Sequence, residues 1–334
     1  MDISIRHESW PIRGAFRISR GSKTTAEVIV AEISDGAATG RGEAVPYARY
    51  GETVEESLML AREAAGALRA GATARDLPDS LPAGAARSVL DCALWDLAAK
   101  RDGLDIGAAL AARLAVETPP RRSLETAFTI SLDTPEAMAR AAAEAAERPL
   151  LKVKLGDPAL DVGRMEAIRA SRPDARLIAD ANEGWSLDFL KGSAAALAAL
   201  DVALIEQPLP AGEDEGLAGW DSPIVICADE SLHVAADLDG LAGRYGAINV
   251  KLDKTGGVSS ALELIGAARA RNLQVMLGCM VGTSLAMAPA CRLAEACGAE
   301  FVDLDGPLLL ARDREPGLIY QGGVIAPCPS ELWG

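Results

Sequence analysis

The sequence predicts an α/β protein: a modified TIM-type (β/α) barrel preceded by an α+β capping unit. Three observations carry this. From about residue 123 the chain alternates short apolar stretches with helical segments at a pitch near 25 residues, the length of one strand, one helix and two short loops. Seven of those stretches hold a charged or reactive side chain at or near the end: Lys154, Asp180, Glu206, Asp229, Lys251, Cys279 and Asp303, at intervals of 26, 26, 23, 22, 28 and 24 residues. Before that region the pattern is different, with β-type stretches followed by helical ones. Eight βα-type units over roughly 195 residues fit a closed parallel barrel better than an open doubly wound sheet. No GxGxxG opens any unit, which argues against dinucleotide binding.

The capping unit is expected over residues 1–118. Its strands read as ISIRHESW, AEVIVAEIS and TGRGEAVP, followed by helices at about 53–70 and 84–101, the second ending at Gly103. The basic segment Phe16–Thr25 and the turn-rich PYARYGET suit loops leaning over a pocket. The barrel is expected over 119–315. ETAFTIS is its first strand, and Thr134 with Pro135 caps the helix that follows. LLKVKL, RLIADAN, ALIEQP, IVICADES, AINVKLDK, VMLGCM and FVDLDGP are the other seven strands, in strict alternation with helices. Residues 316–334 are expected to return to the capping unit as strands.

Composition narrows the partners. With a formal net charge of −15, the 334-residue chain has no bulk basic character for nucleic acid or an anionic membrane. No secretory pattern opens it, and no run of about 18 apolar residues suggests a span. Six cysteines without a CxxC pair read as reduced thiols of a cytoplasmic protein. Two histidines, His7 and His233, leave little for a histidine-rich zinc site or for Ser–His or Cys–His catalysis. A homo-oligomer is compatible with the sequence, which does not fix the assembly.

A charge within a buried-strand pattern is costly unless paired or bound to a metal. Asp180, Glu206 and Asp229 end three consecutive strands, and adjacent strands lie about 4.8 Å apart. Converging carboxylates repel unless a cation neutralises them, and hard oxygen donors favour Mg²⁺, with Mn²⁺ as the alternative. Three helix N-caps are the competing explanation, disfavoured by the lysines on either side. Lys152 and Lys154 share a face of one strand, and Lys251 lies four units further round. Two lysines across a metal suit proton removal from one face of a carbon and return to the other. A neighbouring cation, Lys152 or Mg²⁺, would lower their pKa from about 10.4. Lys152 is read as polarising a substrate carboxylate, and Lys254 as ion-paired or outside the pocket. A Schiff-base lysine barrel or a non-catalytic binding protein would not require the three carboxylates.

With these residues assembled, the chain resembles the enolase superfamily in its muconate-lactonising-enzyme-like subgroup, over essentially its whole length. Lys152-Val-Lys154, Asp180, Glu206, Asp229 and Lys251 match the superfamily pattern without a gap. The resemblance implies Mg²⁺-assisted removal of a proton α to a carboxylate through an enediolate. The subgroup includes cycloisomerases, o-succinylbenzoate synthases, N-acylamino-acid racemases and dipeptide epimerases. PYARYGE, LPAGAARSVLDCALWDLAAK, ICADES, NVKLDKTGG, LGCM and DLDGP resemble the dipeptide epimerases. That likeness implies epimerisation at the Glu α-carbon of L-Ala-D/L-Glu, a murein dipeptide, with Asp303 and Asp305 holding its ammonium. The Glu side chain then needs a cation, Arg20 ahead of Lys23 because a guanidinium binds a carboxylate bidentately. Thr129, Cys279 and Val281 match substrate-lining positions.

Overall fold

Alternating β-branched residues lay down an antiparallel sheet at the start of the computed structural model, which describes residues 1–334. Strands β1 (Asp2–Ile18), β2 (Gly21–Ser34) and β3 (Thr39–Ala44) pair in that order. Phe16 faces Lys23 and Ile18 faces Gly21, so the segment expected as a loop is the end of a long hairpin arm. Helices Val54–Arg69 and Ala85–Asp102 cover the sheet. Gly40 and Gly42 allow the second helix to come close: a Cβ on them would lie 2.1 Å from Ala93 O and 2.2 Å from Val89 O.

After β4 (Leu124–Glu125) come eight parallel strands: β5 (Phe128–Ile130), β6 (Leu150–Lys154), β7 (Arg176–Asp180), β8 (Val202–Glu206), β9 (Val225–Ala228), β10 (Ala247–Val250), β11 (Gln274–Leu277) and β12 (Phe301–Val302). They pair in chain order, and Ala127 N–H donates to Val302 O at 2.8 Å to join the two edges. A separate apolar cluster takes one residue from each unit: Ala127, Leu150, Ile178, Leu204, Cys227, Ala247, Met276 and Phe301. This plug fills the barrel interior and leaves the polar pocket above it. Strand–helix alternation is looser than expected. Only 3₁₀ turns, Glu215–Leu217 and Ala235–Leu241, follow β8 and β9. Pro210, Gly212, Gly216 and Gly219 interrupt the first of those segments, and Gly240, Gly243 and Gly246 the second.

The C-terminal strands β13 (Tyr320–Gln321) and β14 (Val324–Ile325) pair with each other, and β14 pairs with β4 rather than with the capping sheet. Only the last residues reach the capping unit, where Trp333 Nε1 donates to Cys92 O at 3.0 Å and Gly334 N to Asp96 Oδ1 at 2.7 Å. All six cysteines are free, and no helix is long and apolar enough to cross a membrane.

The capping helix Ala85–Asp102 docks on the turn after β10. Arg87 Nη2 donates to Thr255 O at 2.8 Å, and Asp91 accepts from Ser259 N and Oγ at 3.0 and 2.6 Å. A Cβ on Gly257 would meet Asp91 Oδ2 at 2.5 Å, so the glycines of KLDKTGG make a seat for this helix. Burial, only partly countered by those hydrogen bonds, drives the Asp91 carboxyl up to about 6. A raised carboxyl pKa means that the folded chain holds the proton more tightly. Its contribution is therefore full below about pH 3.8 and is lost as pH rises through about 6, a change on the order of 3 kcal/mol. Asp91→Asn should flatten this part of the Tm-versus-pH curve between pH 4 and 7, as scanning calorimetry would measure.

Candidate active site

By the two-residue period of a strand, the positions above the plug are Thr129, Lys152, Asp180, Glu206, Asp229, Asn249, Gly278 and Asp303. Lys154, Lys251 and Asp305 lie one level higher. The plug and these two levels share one phase, which is why the charges recur at strand ends. Lys152 is 1% exposed, and its Nζ lies 2.7 Å from Asp303 Oδ2, 2.7 Å from Glu206 Oε2 and 3.1 Å from Asp180 Oδ2. Burial pulls its pKa down, but Asp303, Glu206 and Asp180 outweigh that and hold the ammonium charged. Lys154 Nζ donates to Asp180 Oδ2 at 2.6 Å. Across the barrel, Lys251 Nζ donates to Asp229 Oδ2 at 2.6 Å. Lys254 is buried too, and bonds Asp229 Oδ1 and O at 2.6 and 2.5 Å.

Burial and the charge on Lys152 lower Lys251, yet in this arrangement Asp229 and Glu206 more than reverse both, so its pKa stands well above the ordinary value. The neighbour that dominates is a carboxylate, not a cation. Lys254 is the lysine pulled down, by burial that Asp229 offsets only in part.

Asp180 and Glu206 are register partners on β7 and β8, and Asp229 follows β9. Lysine ammoniums sit between them, and no three acidic side chains close into a metal shell in this arrangement. The donor set nevertheless fits a hard divalent ion. Glu206 Oε2 lies near Lys152 but makes no hydrogen bond, and the buried Asp303 Oδ1, Asn249 Oδ1, Asn182 Oδ1 and Glu230 Oε2 are likewise unpartnered. Burial, then the charge on Asp180, push the Glu206 carboxyl up, a repulsion that a cation relieves. Four lysines (Lys152, Lys154, Lys251, Lys254) face five carboxylates (Asp180, Glu206, Asp229, Asp303, Asp305), all buried.

At the eighth strand, Asp303 gives one oxygen to Lys152, and Asp305 accepts from Thr129 N at 2.7 Å. Thr129 therefore joins the eighth-strand carboxylates through its backbone N–H on Asp305. Burial and the charge on Asp303 push Asp305 up. Cys279 is half-buried, and its thiol is raised by burial and by Asp303 and Asp305. Gly278 holds the inward phase instead: a Cβ there would lie 2.4 Å from Asn249 Oδ1. Val281 packs toward Ile12, Ala26 and Leu310.

The hairpin arm bends over the barrel mouth. Arg20, expected to take a substrate carboxylate, meets protein carboxylates in this arrangement. It bonds Glu230 at 2.6 Å, Glu183 at 3.0 Å and Asn182 O at 2.8 Å, so both terminal nitrogens of its guanidinium are engaged by the protein. Lys23 is exposed, its Nζ 4.8 Å from the Tyr47 ring centre and joined to no carboxylate. Tyr50 packs edge-on against His233 with ring centres 4.3 Å apart. Sequence reasoning missed Asn249, whose Nδ2 donates to Glu206 Oε1 at 2.8 Å, as well as Asn182, Gln207 and Glu230. Asn249 stands two residues before Lys251, the spacing that flagged Lys152 and Lys154.

Comparison with known proteins agrees with this geometry. Residues 1–111 match the mandelate racemase / muconate lactonizing enzyme N-terminal domain, and residues 136–327 match the enolase C-terminal domain-like family. The chain belongs to the enolase superfamily. Within it, the chain is 44% identical to an L-Ala-D/L-Glu epimerase of Escherichia coli, over 97% of this chain and 98% of that one. It is 45% identical to an N-acetyl-D-glutamate racemase of a Pseudoalteromonas species, over 92% and 95%. An Agrobacterium tumefaciens enolase family member with homology to dipeptide epimerases, solved with sodium and L-Ala-L-Glu, superposes with a TM-score of 0.94 at 48% identity over 99% of each chain. A Methylococcus capsulatus dipeptide epimerase, solved with Mg and L-Arg-D-Lys, gives a TM-score of 0.86 at 31% identity over 97% and 96%. The Escherichia coli, Pseudoalteromonas and Methylococcus relatives are epimerases and racemases, that is, isomerases.

Proposed function

We propose that this chain is a Mg²⁺-dependent dipeptide epimerase that inverts the Glu α-carbon of L-Ala-D/L-Glu. One observation carries the reading: Lys154 on β6 and Lys251 after β10 stand four strands apart, with the three metal-type carboxylates between them and an Asp303/Asp305 pair closing the circle. Asp180, Glu206 and Asp229 would hold the ion, which when bound supplies Lewis-acid stabilisation to the substrate carboxylate. One lysine removes the α-proton and the other returns a proton to the opposite face. Lys152, held charged by its three carboxylates, bonds the substrate carboxylate and offsets the charge that builds there. Asp303 and Asp305 receive the ammonium. The reading extends to murein-peptide recycling in the cytoplasm.

Lys154→Ala and Lys251→Ala should each lower epimerisation by at least about 10²–10⁴-fold. In D₂O, mass spectrometry should still detect α-carbon exchange from only one stereoisomer in each variant. Near-normal turnover in either would end the two-base mechanism. An N-acylamino-acid racemase is the second reading, favoured by the Pseudoalteromonas relative. Asp303→Asn separates the two, because an acylated substrate brings no ammonium. The change should raise KM for L-Ala-L-Glu about tenfold more than for N-acetylglutamate, and equal effects would favour the racemase. With both terminal nitrogens of Arg20 engaged by Glu230, Glu183 and Asn182, Lys23 is the cation for the Glu side chain. Lys23→Ala should raise KM for L-Ala-L-Glu at least about tenfold and leave L-Ala-L-Gln nearly unchanged, as steady-state kinetics would measure.

A further inference from the structure

Gln207 follows Glu206 directly and is fully buried in a left-handed conformation, φ 34°. A non-glycine residue there is strained and persists only where its surroundings fix it. The surroundings of Gln207 do so on every side. Its N–H donates to Cys227 O at 2.9 Å, and its carbonyl accepts from Glu183 N at 2.8 Å. Its side-chain Oε1 accepts from Asp229 N at 2.8 Å and Ser231 N at 3.1 Å. Its Nε2 donates to Leu209 O and Ser231 Oγ, both at 2.8 Å, and lies 3.2 Å from Tyr245 OH. One side chain thus ties the Glu206 turn to the Asp229 backbone, 22 residues further along the chain.

The direction of these bonds is set from behind. Asp214 is buried, and its Oδ2 accepts from Tyr245 OH at 2.5 Å and Ser231 Oγ at 2.7 Å, while Oδ1 pairs with Arg244 at 2.7 Å. An ionised carboxylate only accepts, so both hydroxyl protons point at Asp214. Their oxygens are left to accept, and the group facing them must donate. That demand turns the Gln207 amide so that its NH₂ faces the hydroxyls and its oxygen faces the Asp229 amide.

We propose that Gln207 is a positioning residue for metal binding, with its amide orientation locked by Asp214 through Ser231 and Tyr245. It fixes where Asp229 stands relative to Glu206, and so the spacing of two of the three carboxylates that would hold the ion. The inference rests on the Mg²⁺ reading above. Partners in this outer position typically change metal affinity by 10–100-fold.

The test is Mg²⁺ binding to the full chain by isothermal titration calorimetry, without substrate. Gln207→Glu places acceptors against hydroxyls that have no proton to give, and should weaken Mg²⁺ affinity at least about tenfold. Asp214→Asn, added to it, frees those protons and should recover part of the loss. A purely structural role would lower Tm in both variants and leave the affinity of the folded fraction unchanged. Tyr245→Phe removes one acceptor and should weaken Mg²⁺ about threefold, which keeps the proposal testable if Gln207→Glu does not fold. Affinities within twofold of the parent in the folded variants would overturn it. A parent chain that binds no Mg²⁺ would instead overturn the metal reading itself.

Discussion

The Lys152 ammonium is the interaction on which the pocket depends. It is almost wholly withdrawn from water, and carboxylates at the ends of β7 and β8 and just after β12 surround it at hydrogen-bonding distance. A lone charge in that position would be expelled or neutralised. Here the reverse holds, because each carboxylate also needs the lysine. The second, outer pairs, Lys154 with Asp180 and Lys251 with Asp229, repeat the arrangement on either side. The buried charges compensate one another across strands that are remote in sequence, so the polar level can exist only when the barrel is closed.

Closure itself is apolar work. Eight plug residues, one per unit, fill the bottom of the barrel, and side chains two residues on face the same way. A slip of one residue in any strand would send a plug residue outward and a charge into the surrounding helices. Core and chemistry are therefore fixed by the same register. The 2.8 Å bond from Ala127 to Val302 carries that register across the seam, and the Thr129–Asp305 contact repeats it one level up.

Much of this was legible in the sequence, for a physical reason. Asp180, Glu206 and Asp229 stand out because carboxylates are expensive at the ends of apolar strands, and Lys152 and Lys154 because their two-residue spacing puts both on one face. The eight strands followed from the same stretches. Asn249 escaped notice because a neutral amide in a strand carries no comparable cost until Glu206 is seen opposite it. Gln207 depends on partners at Asp229 and Tyr245 that no local pattern announces. The arm 16–25 read as a loop since FRISRGSKTT has no apolar residue after Ile18, and its pairing comes from the hairpin partner. Arg20 looked free because its carboxylates, Glu183 and Glu230, lie more than 160 residues away.

The turn after β10 has a consequence for how such an enzyme can diversify. Lys251 directly follows the strand, and within six residues the chain gives Asp253 to Val45 N, Thr255 O to Arg87, and two glycines to the capping helix. The cap is thus bolted to the segment that carries a proposed proton-transfer group. Hairpin arm and capping helix differ in freedom: the arm's tip meets solvent, while the helix meets a backbone seat with no room for a Cβ. Substrate range can drift through the arm at little cost to the barrel. Exchange of the whole cap between distant relatives would carry a mismatched seat to within a few residues of Lys251, and so the two halves of the chain are constrained to be inherited together.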